Sequence, residues 1–402
     1  MQKHIRENGN VIYGDLEQFD KIKITFIGKN NILFLTPKCR LKNSSICFGG
    51  DNALVFLGDS TTLLNITLHS NCLFYGGNNN YYNPAGPRTF LISERKNIII
   101  GNNCLYSHTI WFRNADPHLI YDSDTNKRIN LTKSIYIGDH VWFGQEIGVT
   151  KGVFVASGSI IGAKSMLTKN CLSNTVNAGN PIREVKNNIF WLNECVHNWD
   201  EDKTKIYDKV DGDQFKYTYN QDEFLSPKAI EEKLDPLNTA QEKLEFIYDA
   251  IYCNKNKNRF AYFKDMPYDI PLPKYENKFK SLKFEEIDEA KPQPTPPAPK
   301  PTPQPTPQEL EIKSLKDKLS QKEKDINNLD INHKKALTSQ ELEIKSLKEA
   351  LSKKENDINN LELNYQKALN TKNHLSYKLG QALIKANKTG IKVNMLNLYL
   401  KL

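Results

Sequence analysis

Between residues 131 and 171 apolar side chains return every six positions. One row is Leu131, Ile137, Phe143, Val149, Val155, Ile161 and Leu167. A second, four positions on, is Ile135, Val141, Ile147, Val153, Ser159, Ser165 and Cys171. Gly138, Gly144, Gly152, Gly158 and Gly162 fall between the rows. A helix repeats every 3.6 residues and a half-buried strand every 2, so neither produces a strict six. The pattern predicts a hexapeptide solenoid, a parallel β-helix in which each hexad forms one side of a coil. Residues 21–105 carry shorter apolar stretches (ITFIG, ILFL, SICFGG, ALVFLGD, CLFYGG, NIIIGNNCL) broken by Gly, Asn and Asp. They read as degenerate coils of the same solenoid, with 78–88 and 106–130 as loops leaving it.

The fold class this implies is mainly β, in six segments: a polar leader over 1–20, the β-helix over 21–185, a helical subdomain over 186–287 packed on the end of the solenoid, a Pro-rich linker over 288–308, a coiled coil over 309–370, and a basic tail over 371–402. In the helical part Ser226-Pro227 starts one helix. Thr239-Ala-Gln-Glu242 forms a capping box for another that runs to about Tyr252. Residues 291–308 hold nine prolines, a polyproline spacer of roughly 3.1 Å per residue. Beyond it, QELEIKSLKDKLSQKEKDINNLDINHKKAL (308–337) returns as QELEIKSLKEALSKKENDINNLELNYQKAL (340–369). Both copies carry Ile and Leu at heptad spacing. The 32-residue period is four heptads plus four, which inserts a stutter.

Composition narrows the setting. No apolar run is long enough for a membrane span, and the first residues lack the apolar core of a signal peptide. Seven cysteines without a CxxC pair predict reduced thiols and a cytoplasmic protein. The formal charge is +8. Residues 371–402 contribute six lysines (Lys372, Lys378, Lys385, Lys388, Lys392, Lys401) and no acid. That is a local basic feature, not a nucleic-acid surface. With Leu375, Leu379, Leu383 and Ala386 it suggests an amphipathic helix that docks on the anionic inner face of the cytoplasmic membrane, or equally on a protein surface.

The run His118…Ile137-Gly138-Asp139-His140-Val141-Trp142-Phe143-Gly144…Ile161-Gly162-Ala163-Lys164-Ser165…Leu167-Thr168-Lys169…Ala178-Gly179-Asn180-Pro181 resembles the hexapeptide-repeat O-acetyltransferases. It is most similar to those that modify sialic acid-type capsule and other surface-polysaccharide sugars. The resemblance is close over 95–186, loose over 21–94 and slight elsewhere. It implies a left-handed parallel β-helix, a homotrimer with active sites between subunits, acetyl-CoA as donor, a sugar or polysaccharide as acceptor, and no metal.

By position, the resemblance makes His118 the general base. A histidine suits this because its pKa lies near neutrality. Asp116 or Asp122 is expected to orient the imidazolium. Trp142 walls the acceptor pocket, with Arg113 and Tyr121 beside it. Gln145, Ala163, Lys164, Thr168, Lys169, Arg183 and Lys186 line the CoA path, where Arg pairs readily with phosphates. His108 and His140 are rival histidines with a structural reading. Other readings stay open: a trimeric scaffold or glycan-binding protein without catalysis, N-acetylation of an amino sugar, or, least favoured, a zinc hydrolyase using His108, His118 and His140.

Overall fold

In this computed structural model residues 1–289 are described except 17, 18, 87 and 211–213, together with most of 352–388. Two units result, one ending at Pro296 and the other beginning at Pro297. The Pro-rich linker and the first copy of the 32-residue repeat fall outside the described residues; in the second unit the described positions within 352–388 are helical.

The first unit is a three-sided parallel β-helix of seven coils, as the hexad pattern predicts. The first sheet runs through Val11–Tyr13, Ile32–Leu35, Leu54–Leu57, Leu73–Gly76, Asn97–Ile100, Ile135–Ile137 and Phe154–Val155. The second runs from Lys23–Phe26 through Ser45–Phe48, Asn65–Leu68, Arg88–Ile92, Ile110–Arg113 and Gly148–Val149 to Met166–Leu167. The third side holds Phe19–Asp20, Arg40–Lys42 and Thr61–Thr62, then Tyr81–Tyr82, Leu105–Tyr106, Trp142–Phe143, Ile160–Ile161 and Val176–Ala178. Neighbouring coils pair in parallel and in register, as with Leu33 opposite Val55 and Phe74 opposite Ile98. Register is kept because a one-residue slip would turn every inward side chain outward. Asn30, Asn52, Asn71, Asn79 and Asn103 adopt positive φ, which asparagine tolerates better than most residues. Their spacing explains the polar breaks between the apolar stretches.

Three expectations change. The segment 1–20 is part of the sheet rather than a leader: Gln2–Ile5 pairs antiparallel with Val11–Tyr13, which opens the first coil. The segment 78–88 does not leave the coil as a whole. Tyr81 and Tyr82 form a strand, and Tyr82 lies buried on Tyr106, which stacks in turn on Phe143 at centroid spacings of 5.0 Å. The second interruption spans 114–134 instead of 106–130, because Ile110–Arg113 pairs with both Arg88–Ile92 and Gly148–Val149.

The largest difference concerns 186–287. Its part over 224–284 does not sit on the end of the solenoid; it lies along the outer face of the first sheet, while Trp191 and Phe215 pack on His140 at the first–third corner. Strands of that sheet are apolar on both faces, as in Ile32-Leu33-Phe34-Leu35 and Leu54-Val55-Phe56-Leu57, and all eight side chains are buried. The inward half fills the prism. The outward half, from Tyr13 through Phe34, Phe56 and Tyr75 to Tyr136 and Phe154, packs against Phe224, Ile230, Leu244, Ile251, Phe260 and Phe279 of the covering segment. Continuous apolar strands signal burial on both faces, so this cover was implicit in the sequence. The helix starts agree with expectation. Ser226 caps Pro227–Leu234, and Thr239 and Glu242 form the reciprocal capping box of Ala240–Phe246. That helix continues as a π-helix over Ile247–Tyr252. The cover finishes in Glu285–Asp288, a strand parallel to Gln2–Ile5.

Candidate active site

The prism has three corners, and they sort the candidate residues. The corner between the third and second sheets carries Gln145, Ala163 and Lys164, in the turns after Trp142–Phe143 and Ile160–Ile161. These turns stack directly, with the Lys164 N–H donating to the Gln145 carbonyl at 2.9 Å. Gly144 permits the contact: a Cβ there would stand 2.7 Å from the Ala163 nitrogen. Ala163 is exposed, so the corner is a smooth strip of backbone edged by Lys164, whose ammonium sits 3.6 Å from Glu146. Arg183 and Lys186 are exposed on the strand Arg183–Lys186, which pairs antiparallel with the last strand of the third sheet.

The corner between the second and first sheets carries the His118 loop. Its root is fixed by buried Asn114, which accepts from the Ser93 N–H at 2.9 Å and donates to the Ser93 carbonyl at 3.2 Å. From there an arm projects, held by Ile129 N–H to the Ile120 carbonyl at 2.9 Å and by a bridge between Tyr121 and Arg128. His118 is exposed at the base of this arm, and among the described residues its imidazole has no hydrogen-bond partner. Thr168 and Lys169 lie in the turn after Met166–Leu167, on the His118 corner, so the expected cofactor set divides between two corners.

Neither carboxylate expected to orient His118 does so. Asp116 accepts from the Lys151 ammonium at 2.6 Å. That hydrogen bond holds the Asp116 pKa below the usual carboxylate value. Asp122 turns back on the tip of the arm, accepting from the Thr125 N–H at 2.8 Å and the Thr125 hydroxyl at 2.7 Å. Asp116 therefore fastens the loop to the coil instead of touching the imidazole.

Trp142 is 38 % exposed on the third sheet and leans on Trp191 at 5.8 Å. Outward along its rung lie Tyr81, Leu105, Ile160 and Val176. This forms an apolar ladder up one side of the prism. Arg113 is exposed on the second sheet, its guanidinium 5.8 Å from the Trp111 ring. Tyr121 is exposed on the arm, together with Leu119, Ile120, Ile129 and Leu131.

The other two histidines lie elsewhere. His108 occupies the third–second corner, while His140 is fully buried at the first–third corner between Trp191 and Phe215, at 3.8 and 4.0 Å. It exchanges hydrogen bonds with Trp191, ring nitrogen to carbonyl at 2.9 Å and indole N–H to its own carbonyl at 3.0 Å. Burial lowers its pKa. The three histidines thus stand at three different corners. Among the described residues no group of three or more His, Cys, Asp or Glu is gathered as a metal site.

Three groups were not found from the sequence: the Lys151 that holds Asp116, the Asn130–Arg128–Glu94 chain beneath His118, and the Arg259 that binds Asp139. Each includes a pair of residues more than thirty positions apart, Lys151–Asp116, Arg128–Glu94 and Arg259–Asp139, and no local motif marks such pairs.

The chain is 32% identical across 132 residues to a polysialic acid O-acetyltransferase of Neisseria meningitidis. It is 32% identical across 101 residues to one of Escherichia coli O1:K1. The solenoid is homologous to hexapeptide-repeat acetyltransferases. The matches cover 32% and 25% of this chain, and 60% and 33% of the two relatives, so the chain spans less than two thirds of either. A crystal structure of the polySia specific acetyltransferase NeuO is 30% identical, covering 50% of this chain and 87% of that one, with a TM-score of 0.44. Residues 351–402 match a family described as a domain of unknown function, DUF8374. Among the described residues no helix is long and apolar enough to cross a membrane.

Proposed function

We propose that this protein is an acetyl-CoA-dependent O-acetyltransferase acting on a hydroxyl of a bacterial capsule or other surface-polysaccharide sugar, with polysialic acid as the first acceptor class to test. The observation that carries the reading is His118: an exposed imidazole without a hydrogen-bond partner among the described residues, on a fastened loop, in a chain similar to polysialic acid O-acetyltransferases.

In this reading the neutral imidazole of His118 takes the proton of the acceptor hydroxyl as the oxygen bonds to the thioester carbonyl carbon. On collapse the carbon–sulfur bond breaks and the imidazolium returns the proton to the departing thiolate. Transfer is direct, within a ternary complex, and no acyl-enzyme forms. The corner at Gly144 and Ala163 fits a pantetheine arm, because at these two positions the stacked turns present backbone and at most a methyl group. Lys164, Lys169, Arg183 and Lys186 supply cations for the CoA phosphates. Trp142 offers a ring face to the sugar or the arm, with Arg113 and Tyr121 on the acceptor side.

The division of this set between two corners of one prism supports a homotrimer, in which the His118 corner of one subunit meets the cofactor corner of the next. The apolar ladder on the third sheet and the exposed Leu119, Ile120, Ile129 and Leu131 are surfaces such packing would cover. The lysine-rich tail is read as reversible docking on the anionic inner face of the cytoplasmic membrane, which places the enzyme in the cytoplasm near polysaccharide assembly.

The test is release of CoA from acetyl-CoA with purified polysialic acid and other capsule polysaccharides, comparing the wild type with His118→Ala. Acceptor-dependent release lost in a folded variant is the expected result. A folded trimer that binds no acetyl-CoA would turn the reading toward a scaffold.

A further inference from the structure

His118 is held by its backbone. The buried side chain of Asn130 spans it, with Nδ2 donating to the His118 carbonyl at 2.7 Å and Oδ1 accepting from the Ile120 N–H at 3.0 Å. One amide thus satisfies a donor and an acceptor on either side of Leu119, fixing the direction in which the chain leaves residue 118. The Asn130 oxygen also accepts from Arg128 Nε at 3.3 Å. Arg128 is in turn gripped by Glu94 through two parallel hydrogen bonds of 2.7 and 2.8 Å, a bidentate pair that fixes orientation as well as distance. Glu94 also accepts from the Thr132 hydroxyl. It stands on a coil corner where Glu94 and Arg95 both take positive φ, two residues past the strand Arg88–Ile92.

We infer that Asn130 is the positioning residue of His118, and that Glu94, Arg128 and Asn130 form a rigid strut from the β-helix to the base. The inference rests on the functional reading above. Two observations support it. Among the described residues the imidazole has no hydrogen-bond partner, and the two carboxylates that would have oriented it are engaged elsewhere. Its placement therefore depends on how the backbone at 118 is held. A displacement of about 1 Å at a reacting group can cost on the order of a hundredfold in rate, so a strut that removes this freedom matters for kcat. The Lys151–Asp116 ion pair fastens the chain two residues earlier, so His118 is held from both sides.

Asn130→Asp removes the donor to the His118 carbonyl and, with it, the Asn130 side-chain hydrogen bond to Asp116. A carboxylate still accepts from Ile120 and Arg128 but cannot donate to the His118 carbonyl, and its charge repels that oxygen. Acceptor-dependent turnover would be measured for the wild type, His118→Ala and Asn130→Asp, with melting temperatures and the KM for acetyl-CoA. The expected result is no turnover for His118→Ala. For Asn130→Asp, kcat should fall about tenfold or more, with the KM for acetyl-CoA unchanged and only a small drop in melting temperature, because Arg128 stays beside the new buried carboxylate. Wild-type kcat in Asn130→Asp overturns the strut while leaving His118 as base, as does a fall in kcat accompanied by equal losses of acetyl-CoA affinity and thermal stability. Full turnover in His118→Ala, or a wild type inactive on every acceptor, removes the functional reading and the strut with it. If Asn130→Asp does not fold, Glu94→Gln cuts the strut at its outer end and decides the matter in its place. It should lower kcat by a smaller factor, and an unchanged kcat overturns the inference.

Discussion

Arg259 of the covering segment grips Asp139 in the turn before Trp142, with Nε to Oδ2 and Nη2 to Oδ1 both at 2.8 Å and both residues buried. The remaining guanidinium nitrogen donates to the carbonyls of Ile251 and Asn254, and Asp139 Oδ1 also accepts from the Asn102 N–H at 2.6 Å. The pair links three parts of the chain: two neighbouring coils and the cover. Replacing Arg259 by Met leaves the Asp139 carboxylate buried without its cation. Losing one partner of such a pair costs about 3–5 kcal/mol. The expected outcome is a large drop in melting temperature. A drop of less than a few degrees would show that water or a neighbouring group takes the place of Arg259.

The loop clamp should be acid-sensitive. The hydrogen bond from Arg128, with that from Thr132, lowers the Glu94 pKa from 4.5 to about 2. A carboxyl whose pKa is depressed by folding adds stability above its unfolded value and loses it as pH falls through the folded value. The clamp should therefore be intact above about pH 5 and weaken progressively between about pH 4.5 and 2. Hydrogen exchange at the Ile120 amide would report this, and Glu94→Gln should abolish the dependence. Glu94 is partly exposed, so the effect is expected to be local to the arm, without global unfolding.

The aromatic column inside the third sheet should be intolerant of truncation. Phe143 lies fully buried under Tyr106 and beside Phe112, at centroid spacings of 5.0 and 5.7 Å. Phe143→Ala removes a ring from a packed interior and should destabilise the protein by about 3–5 kcal/mol. Phe143→Leu should cost much less. Equal melting temperatures for Phe143→Ala and the wild type would mean the column collapses without strain.

Where the folded unit ends can be tested by truncation. Glu285–Asp288 pairs with Gln2–Ile5, and Glu289 accepts from His4 and Arg6 at 2.7 and 2.6 Å. A chain ending after residue 290 should keep its melting transition and its acetyl transfer to a soluble acceptor. A chain ending at 284 exposes the edge of Gln2–Ile5 and should melt at lower temperature. Loss of transfer in the longer truncation would assign a catalytic contribution to the segment beyond it.

The hexads made the regular coils legible because a three-sided prism demands an inward residue on each side. Residues 135–171 supply one every turn, apolar everywhere but at Ser159 and Ser165, whereas Leu131, in phase by sequence, is exposed on the loop. The earlier coils were legible only as stretches. Their longer turns, such as that after Tyr81–Tyr82, break the count of six while the inward side chains stay in register. Ser226 and the Thr239–Glu242 box were legible because capping is local. The cover's location was present as apolar strands on one side, yet its match to that side depends on contacts such as Phe34 with Phe279 and Phe154 with Phe224, across long separations. Of the candidate site, His118 and Trp142 could be singled out from the resemblance, whereas the partners of Asp116 and Asp122 could not.

The sequence by itself determined the solenoid, its approximate extent and the histidine on which the proposed chemistry turns, because periodicity and motif spacing are properties of neighbouring residues. Only the tertiary structure decided which corner each candidate occupies, that Asp116 serves Lys151 and not His118, and that Asn130, Arg128 and Glu94 carry the loop. Those outcomes depend on hydrogen bonds within the folded loop and between it and neighbouring coils, and such bonds are set by how the loop folds back and the coils stack, not by the local order of residues.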